Sequence, residues 1–248
     1  MTTACLIIIG NEILSGRTQD KNLSYIANGL NEIGVRLAEV RVIPDHEPTI
    51  IHTVNACRAR FTYVFTSGGI GPTHDDITTA AIARAFGVPV IRHPEAERRL
   101  LAHYTPDQVN EARMKMADVP QDAALIDNPV SSAPGFRIEN VFVLAGVPRI
   151  MQAMFDGIKG QLQGGPKILS RTLSAYITEG TIAAELTAIQ NRFPDIEIGS
   201  YPFMRDGKLG TSLVSRGTDE TQLTACHSEI AAMLARFGAA LIHDENAA

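Results

Sequence analysis

Ser67 to Asp76 reads S-G-G-I-G-P-T-H-D-D, three glycines and a proline set directly ahead of two adjacent carboxylates. Gly68, Gly69 and Gly71 free the backbone to turn its amides toward an anion, and a helix starting near Asp76 would aim its positive end at the same spot. Asp75 and Asp76 then admit two readings. Thr73-x-x-Asp76 is a variant of the capping box, and the helix dipole favours carboxylates in a first turn. Alternatively, a divalent cation joins carboxylate to phosphate, cancels their repulsion and polarises the phosphorus for attack by water. Glu12, in the loop Gly10 to Gly16, and Asp45, in P-D-H-E at Pro44 to Glu47, would complete an all-oxygen shell suited to a hard cation. The plainer reading of both is a solvated loop carboxylate.

Other chemistries lack their motifs. Gly69-x-Gly71 has no third glycine at His74, so the dinucleotide fingerprint fails, and no Gly-Lys-Ser/Thr or G-x-S-x-G occurs. His46 and His74 each adjoin a loop aspartate and rank as minor candidates, while His52, His93, His103, His227 and His243 show no metal-type spacing. Met114, Met116, Met151 and Met154 fit core filling, and Arg98 with Arg99 fits a solvated helix face.

The elements that must position these loops follow from periodicity. Residues 4–9 are continuously apolar and read as a buried strand. A helix over 20–33 stops at Gly34, and the strand Arg36 to Ile43 follows. A helix carrying Ile50, Ile51, Val54 and Cys57 comes next, then the strand Phe61 to Thr66 and a helix from Asp76 to Phe86 that Gly87 ends. Residues 95–119 read as helical, broken at Pro106. The strand Val141 to Ala145, the loop A-G-V-P (Ala145 to Pro148) and a helix from about Arg149 complete the set.

Such alternation specifies an α/β fold with a mostly parallel sheet covered by helices on both faces. Its ligands would gather at the carboxyl ends of the strands, where the four loops lie. Q-L-Q-G-G-P-K at 161–167 reads as a linker, giving a domain over 1–168 and a smaller one over 169–248. The smaller domain holds a strand (172–178), a helix (180–191), strands at 195–201 and 208–215, a helix (218–237) and a strand (239–243). That order is βαββαβ, the split-βαβ plan of a two-layer domain.

Composition narrows the partners. The 248 residues are 45% hydrophobic, enough for a core, and the net charge of −5 with no basic stripe argues against nucleic acid. Ala4 to Ile9 is too short to span a bilayer and lacks the basic flank of a signal peptide, so no membrane partner is expected. Cys5, Cys57 and Cys226 form neither a disulfide framework nor a zinc pattern, which suits a reducing cytoplasm.

Together the loops become specific. Gly10-x-Glu12-x-Leu14-x-Gly16, Asp20-x-Asn22, Asp45, G-G-I-G-P-T-H-D-D-I-T (Gly68 to Thr78), Asn128-Pro129, Ala133-Pro134-Gly135-Phe136 and Gly146-Val147-Pro148 occur in that order. This resembles the competence/damage-inducible protein A (CinA) family, whose first module has the molybdopterin-binding fold of MoaB and Mog proteins and is similar to the front of eukaryotic FAD synthases. The region from about 170 onward, with I-G-S-Y-P (Ile198 to Pro202), is similar to that family's small following domain.

The resemblance implies a three-layer α/β/α module. It also implies metal-dependent hydrolysis of the pyrophosphate of ADP-ribose or, as in FAD synthases, of FAD, with Mg²⁺ or Co²⁺ and K⁺ as cofactors. It carries Glu12, Asp45 and Asp76 over as catalytic candidates and Glu12, Asp75 and Asp76 as metal candidates. Gly10, Gly68, Gly69, Gly71, Pro72, Thr73, Thr78, Gly135 and Gly146 carry over as ligand contacts. Asp75 stands where Mog-like proteins carry arginine, which weighs toward a metal and away from molybdopterin. Two departures are mild: Ala145 replaces the usual proline and Ser67 the usual threonine.

The sequence ends before the amidohydrolase domain that many members carry, so deamidation is not expected. Two rivals remain: a pterin-binding module without turnover, and a partner for a separately encoded deamidase. Self-association into a homo-oligomer is expected, since related modules are oligomers.

Overall fold

The strand β1 (Thr3–Ile9) has no alternation because both its faces are covered. Cys5, Ile7 and Ile9 point into one apolar cluster, and Ala4, Leu6 and Ile8 into the other. A computed structural model describes residues 2–242. The chain divides between Gly165 and Pro166 into two compact units.

The first unit continues through α1 (Asn11–Leu14), α2 (Asn22–Glu32), β2 (Arg36–Ile43), α3 (Glu47–Arg58), β3 (Tyr63–Ser67) and α4 (Thr78–Phe86). Then come β4 (Val90–Arg92), α5 (Pro94–His103), α6 (Glu111–Met114), β5 (Asp118–Pro120), β6 (Ala124–Ile126), β7 (Gly135–Ile138), β8 (Val141–Leu144) and α7 (Pro148–Lys159). Six strands form one sheet in the order β2-β1-β3-β8-β7-β6. The pairs β2–β1, β1–β3 and β3–β8 are parallel, and β8–β7 and β7–β6 antiparallel.

On one face Ile50, Val54 and Cys57 of α3 and Ile82 of α4 pack against the sheet. On the other, Ile26 and Leu30 of α2 meet Met151, Met154 and Phe155 of α7. The result is the α/β/α arrangement with a mostly parallel sheet. Cys5 and Cys57, 52 residues apart in sequence, meet here: the buried Cys5 thiol donates to Cys57 Sγ at 3.5 Å. That hydrogen bond holds the Cys57 thiol down at about 7 and, with burial, pushes the Cys5 thiol up.

Several sequence expectations are corrected. Residues 10–16 are not an open loop, because Asn11–Leu14 makes one helical turn that carries Glu12. The helix after the glycines starts at Thr78 rather than Asp76, and no side chain caps it. Between 95 and 119, α5 and α6 are joined through a 3-10 turn at Pro106–Gln108, and β5 pairs with β4 as a separate two-stranded ladder. Strand β7 has no counterpart among the elements expected from the sequence, since four residues flanked by proline and turn residues carry no period.

In the second unit, β9 (Leu169–Ala175), α8 (Glu179–Arg192), β10 (Glu197–Arg205), β11 (Lys208–Gly217), α9 (Glu220–Arg236) and β12 (Leu241–Ile242) follow the βαββαβ order. They form an antiparallel sheet, β10-β11-β9-β12. Ile182 and Ile189 of α8 and Leu223, Cys226, Ile230 and Met233 of α9 bury against Ala175 and Leu213. The last strand was expected over 239–243; His243 lies outside the described residues. No helix among the described residues is long and apolar enough to cross a membrane.

Candidate functional site

Because β2, β1, β3 and β8 are parallel neighbours, their carboxyl ends open on one edge of the sheet. The loops after all four strands therefore meet there. A pocket of about 360 Å³ lies between them. Glu12 enters from α1, Asp45 from the loop after β2, Gly68 to Thr73 with Asp75 and Asp76 from the loop after β3, and Gly146 from the loop after β8. The remaining wall is largely apolar: Ile70, Met116, Ala133, Val147 and Ile150, joined by Asn128 and Ser131. Met116 packs against the cluster of Ala96, Leu100, Met114 and Ala117, as core filling would have it, and lines the pocket as well.

The loop after β3 is built on close approach. Gly68 has φ +112 and Gly69 φ +71, the left-handed region that favours glycine. A Cβ on Gly68 would stand 2.2 Å from the Ile9 carbonyl oxygen, and one on Gly69 would stand 2.2 Å from Thr78 Oγ1. The Thr78 amide donates to Gly69 O at 3.0 Å, tying the start of α4 to the glycines. Its hydroxyl is fully buried behind Gly69 without a partner, so Thr78 supports the loop from beneath and does not line the pocket.

Gly10 and Gly135 also stand off the wall. Glu12's carboxylate takes the space beside Gly10. Gly135 lets β7 approach β8, its absent Cβ falling 2.4 Å from Val143 O.

Residues 73–76 form a turn, and Asp76 closes it. Its Oδ2 accepts from the Thr73 amide at 2.8 Å and from the Thr73 hydroxyl at 2.5 Å. The capping box is therefore half present, serving the turn and not the helix. Asp75 is exposed, and the Thr73 hydroxyl with Asp75's own backbone amide holds its carboxyl below the usual range, helped by His74 and Lys115. Asp45 Oδ2 accepts from the Asn11 amide at 2.9 Å and so fastens the loop after β1 to the loop after β2. His46 turns away to Thr49, its Nδ1 lying 2.8 Å from the hydroxyl.

Sequence reasoning gave no role to two residues that shape this edge. Lys115 Nζ donates to Thr73 O and Asp76 O, both at 2.9 Å, so a fixed ammonium sits on the acidic turn. Asn22 Nδ2 donates to Ser67 Oγ and Gly146 O, both at 2.8 Å, clamping the end of β3 to that of β8. Asn22 stood in a quoted motif that could have flagged it. Lys115 gave no signal, lying 39 residues beyond Asp76. Among the described residues, no three His, Cys, Asp or Glu side chains converge closely enough to hold a metal ion.

A mostly parallel sheet covered by helices on both faces, with a glycine-rich turn and acidic side chains at the carboxyl ends of its strands, defines a module of the molybdopterin-binding fold. The chain belongs to the family described as "Probable molybdopterin binding domain", whose model matches residues 5–163. Residues 167–239 match the middle domain of FAD synthase. The chain is 38% identical over 160 residues to a CinA-like protein of Sulfurihydrogenibium sp., covering 61% of this chain and 40% of that one. It is 30% identical over 259 residues to a "Probable FAD synthase" of Caenorhabditis elegans, covering 94% of this chain and 50% of that one. The chain thus spans half or less of these two relatives. A solved structure of the protein CinA, of unknown function, from Thermoplasma acidophilum superposes with a TM-score of 0.61 at 31% identity. That match covers 64% of this chain and 97% of the other.

Proposed function

We propose that this chain is a metal-dependent hydrolase of a nucleotide phosphoanhydride, acting on ADP-ribose or a related dinucleotide. One observation carries the reading: a single pocket is lined both by the glycine-rich turn Gly68 to Gly71 and by the carboxylates Glu12, Asp45, Asp75 and Asp76. A relative named for FAD synthesis adds weight, since FAD contains the same kind of pyrophosphate.

The donor set suits a cation of the magnesium type, which is held by one or two carboxylates while substrate phosphates and water fill its other positions. It does not suit an all-protein cage, because three carboxylates do not converge. One or two of Asp75, Asp76 and Glu12, all on the pocket wall, would hold the ion, and Mg²⁺ or Co²⁺ there would supply Lewis-acid polarisation and a more acidic water.

The chain's own residues do the rest. The backbone of Gly68 to Gly71 orients the pyrophosphate, and Lys115 holds the acidic turn in place and offsets part of its charge. A carboxylate free of the ion is available to take the proton of the attacking water. The apolar side chains of the wall accept the non-phosphate end of the ligand.

Purified protein incubated with ADP-ribose, FAD or NADH, Mg²⁺ or Co²⁺, and with or without K⁺ is expected to release AMP in a metal-dependent way, followed by chromatography. Asp76→Asn should lower kcat by about 10²-fold. Absence of metal-dependent AMP release, or an unchanged rate in the variant, sinks the proposal. The rival is pterin binding without turnover, favoured by the apolar share of the wall. It predicts saturable pterin fluorescence quenching in a protein that releases no AMP.

A further inference from the structure

The turn between β6 and β7 brings to the pocket a side chain whose hydrogen bonding is incomplete. Asn128 is buried and saturated: its Nδ2 donates to Ser131 Oγ at 2.6 Å and to Ala133 O at 2.8 Å. Its Oδ1 accepts from the amides of Val130 and Ser131 at 3.0 and 3.2 Å. Exchanging the amide's oxygen and nitrogen would set oxygen against the Ala133 carbonyl and NH₂ against two N–H donors, so only one orientation satisfies the network.

Ser131 Oγ is therefore an acceptor toward Asn128, and its own proton must be donated elsewhere. Among the described residues no protein acceptor takes it, although Ser131 lines the pocket. A half-buried hydroxyl held as a donor, in a pocket that Met116, Ala133, Val147 and Ile150 also line, offers a directional contact together with apolar side chains. That combination suits a flat heteroaromatic ring with an in-plane acceptor.

We propose that Ser131 is a specificity-determining residue of this pocket: its hydroxyl, turned by Asn128, donates to a ring nitrogen of a purine whose phosphates lie on the Gly68 to Gly71 turn. This rests on the nucleotide reading given above and names the end of the ligand that reading leaves open. Asn128 acts through Ser131 as a positioning residue. Sugar-only diphosphates would lose the contact.

The test is calorimetric titration of wild type and Ser131→Ala, with Mg²⁺, using ADP and its 1-deaza, 3-deaza and 7-deaza analogues. Ser131→Ala is expected to raise the Kd for ADP about tenfold, as loss of one hydrogen bond to a site built for it does. One deaza analogue should weaken wild type by the same factor and leave Ser131→Ala unaffected, a coupling that a merely structural serine would not show. Unchanged ADP binding in Ser131→Ala, or equal losses for all three analogues in both proteins, overturns the proposal. The wild-type arm alone suffices if the variant fails to fold: indifference to every deaza analogue excludes a ring-nitrogen contact. Binding of ADP by a wild type that releases no AMP from ADP-ribose removes the hydrolase reading and leaves Ser131 judged on Kd. Failure of wild type to bind ADP overturns both.

Discussion

Phe155→Ala is expected to cost the first unit about 3–5 kcal/mol of unfolding free energy, the usual range for emptying a large aromatic site in a core. Phe155 is fully buried on α7. It meets Phe65 of β3 edge-on at 5.8 Å between ring centroids, and Tyr25 of α2 in the same manner at 6.3 Å. It also occupies space that α2 yields to it: a Cβ on Gly29 would fall 2.5 Å from Phe155 Cε1. Two elements, α2 and β3, thus close on the ring that α7 carries, so the walls have little freedom to collapse into the vacancy, and the cavity adds to the lost transfer energy. The chain has two units, so the measurement is a melt resolved into its transitions, and the transition that shifts between wild type and Phe155→Ala is that of the first unit. A loss under about 1 kcal/mol would mean that α2 and α7 are less constrained than their packing implies.

Gly68→Ala should be nearly as damaging and should act at the pocket itself. At φ +112 an alanine carries a backbone strain of about 1–3 kcal/mol. Its Cβ would also press to 2.2 Å from the Ile9 carbonyl, an atom held in the central sheet that cannot swing aside. Either β1 and β3 separate at their carboxyl ends or the turn leaves its left-handed path, and both outcomes move the amides away from the place proposed for the phosphate. The expected result is a loss of about 3 kcal/mol or more, together with loss of measurable nucleotide binding. Gly157→Ala is the matched control. It lies inside α7 with nothing within 4 Å of its added methyl, so it should stabilise the protein by about 0.5–1 kcal/mol. If both substitutions have the same sign, the close approach at Gly68 is not what the turn requires.

The chain's own pattern determined a good deal of this protein. An apolar run without alternation at Ala4 to Ile9 can be satisfied only by cover on both faces, and Gly34 and Gly87 stop their helices, so the three-layer plan was legible. Strand ends followed by Gly10 to Gly16, Pro44 to Glu47, Gly68 to Asp76 and Ala145 to Pro148 gave the edge where ligands collect.

What the pattern could not hold was which groups meet across that edge. A period assigns a residue to a face, but it does not name the neighbour, which depends on the order β2-β1-β3-β8. Only the folded chain lays Lys115 on the carbonyls of Thr73 and Asp76, sets Cys5 beside Cys57, and joins Asn22 to Gly146 across 124 residues. Asp76 shows the limit most directly. Its spacing from Thr73 fitted a helix cap, yet Gly69's bond to the Thr78 amide fixes the start of α4 two residues later. The same Thr73–Asp76 pair closes a turn instead, because a local hydrogen bond takes whatever backbone the tertiary contacts leave beside it.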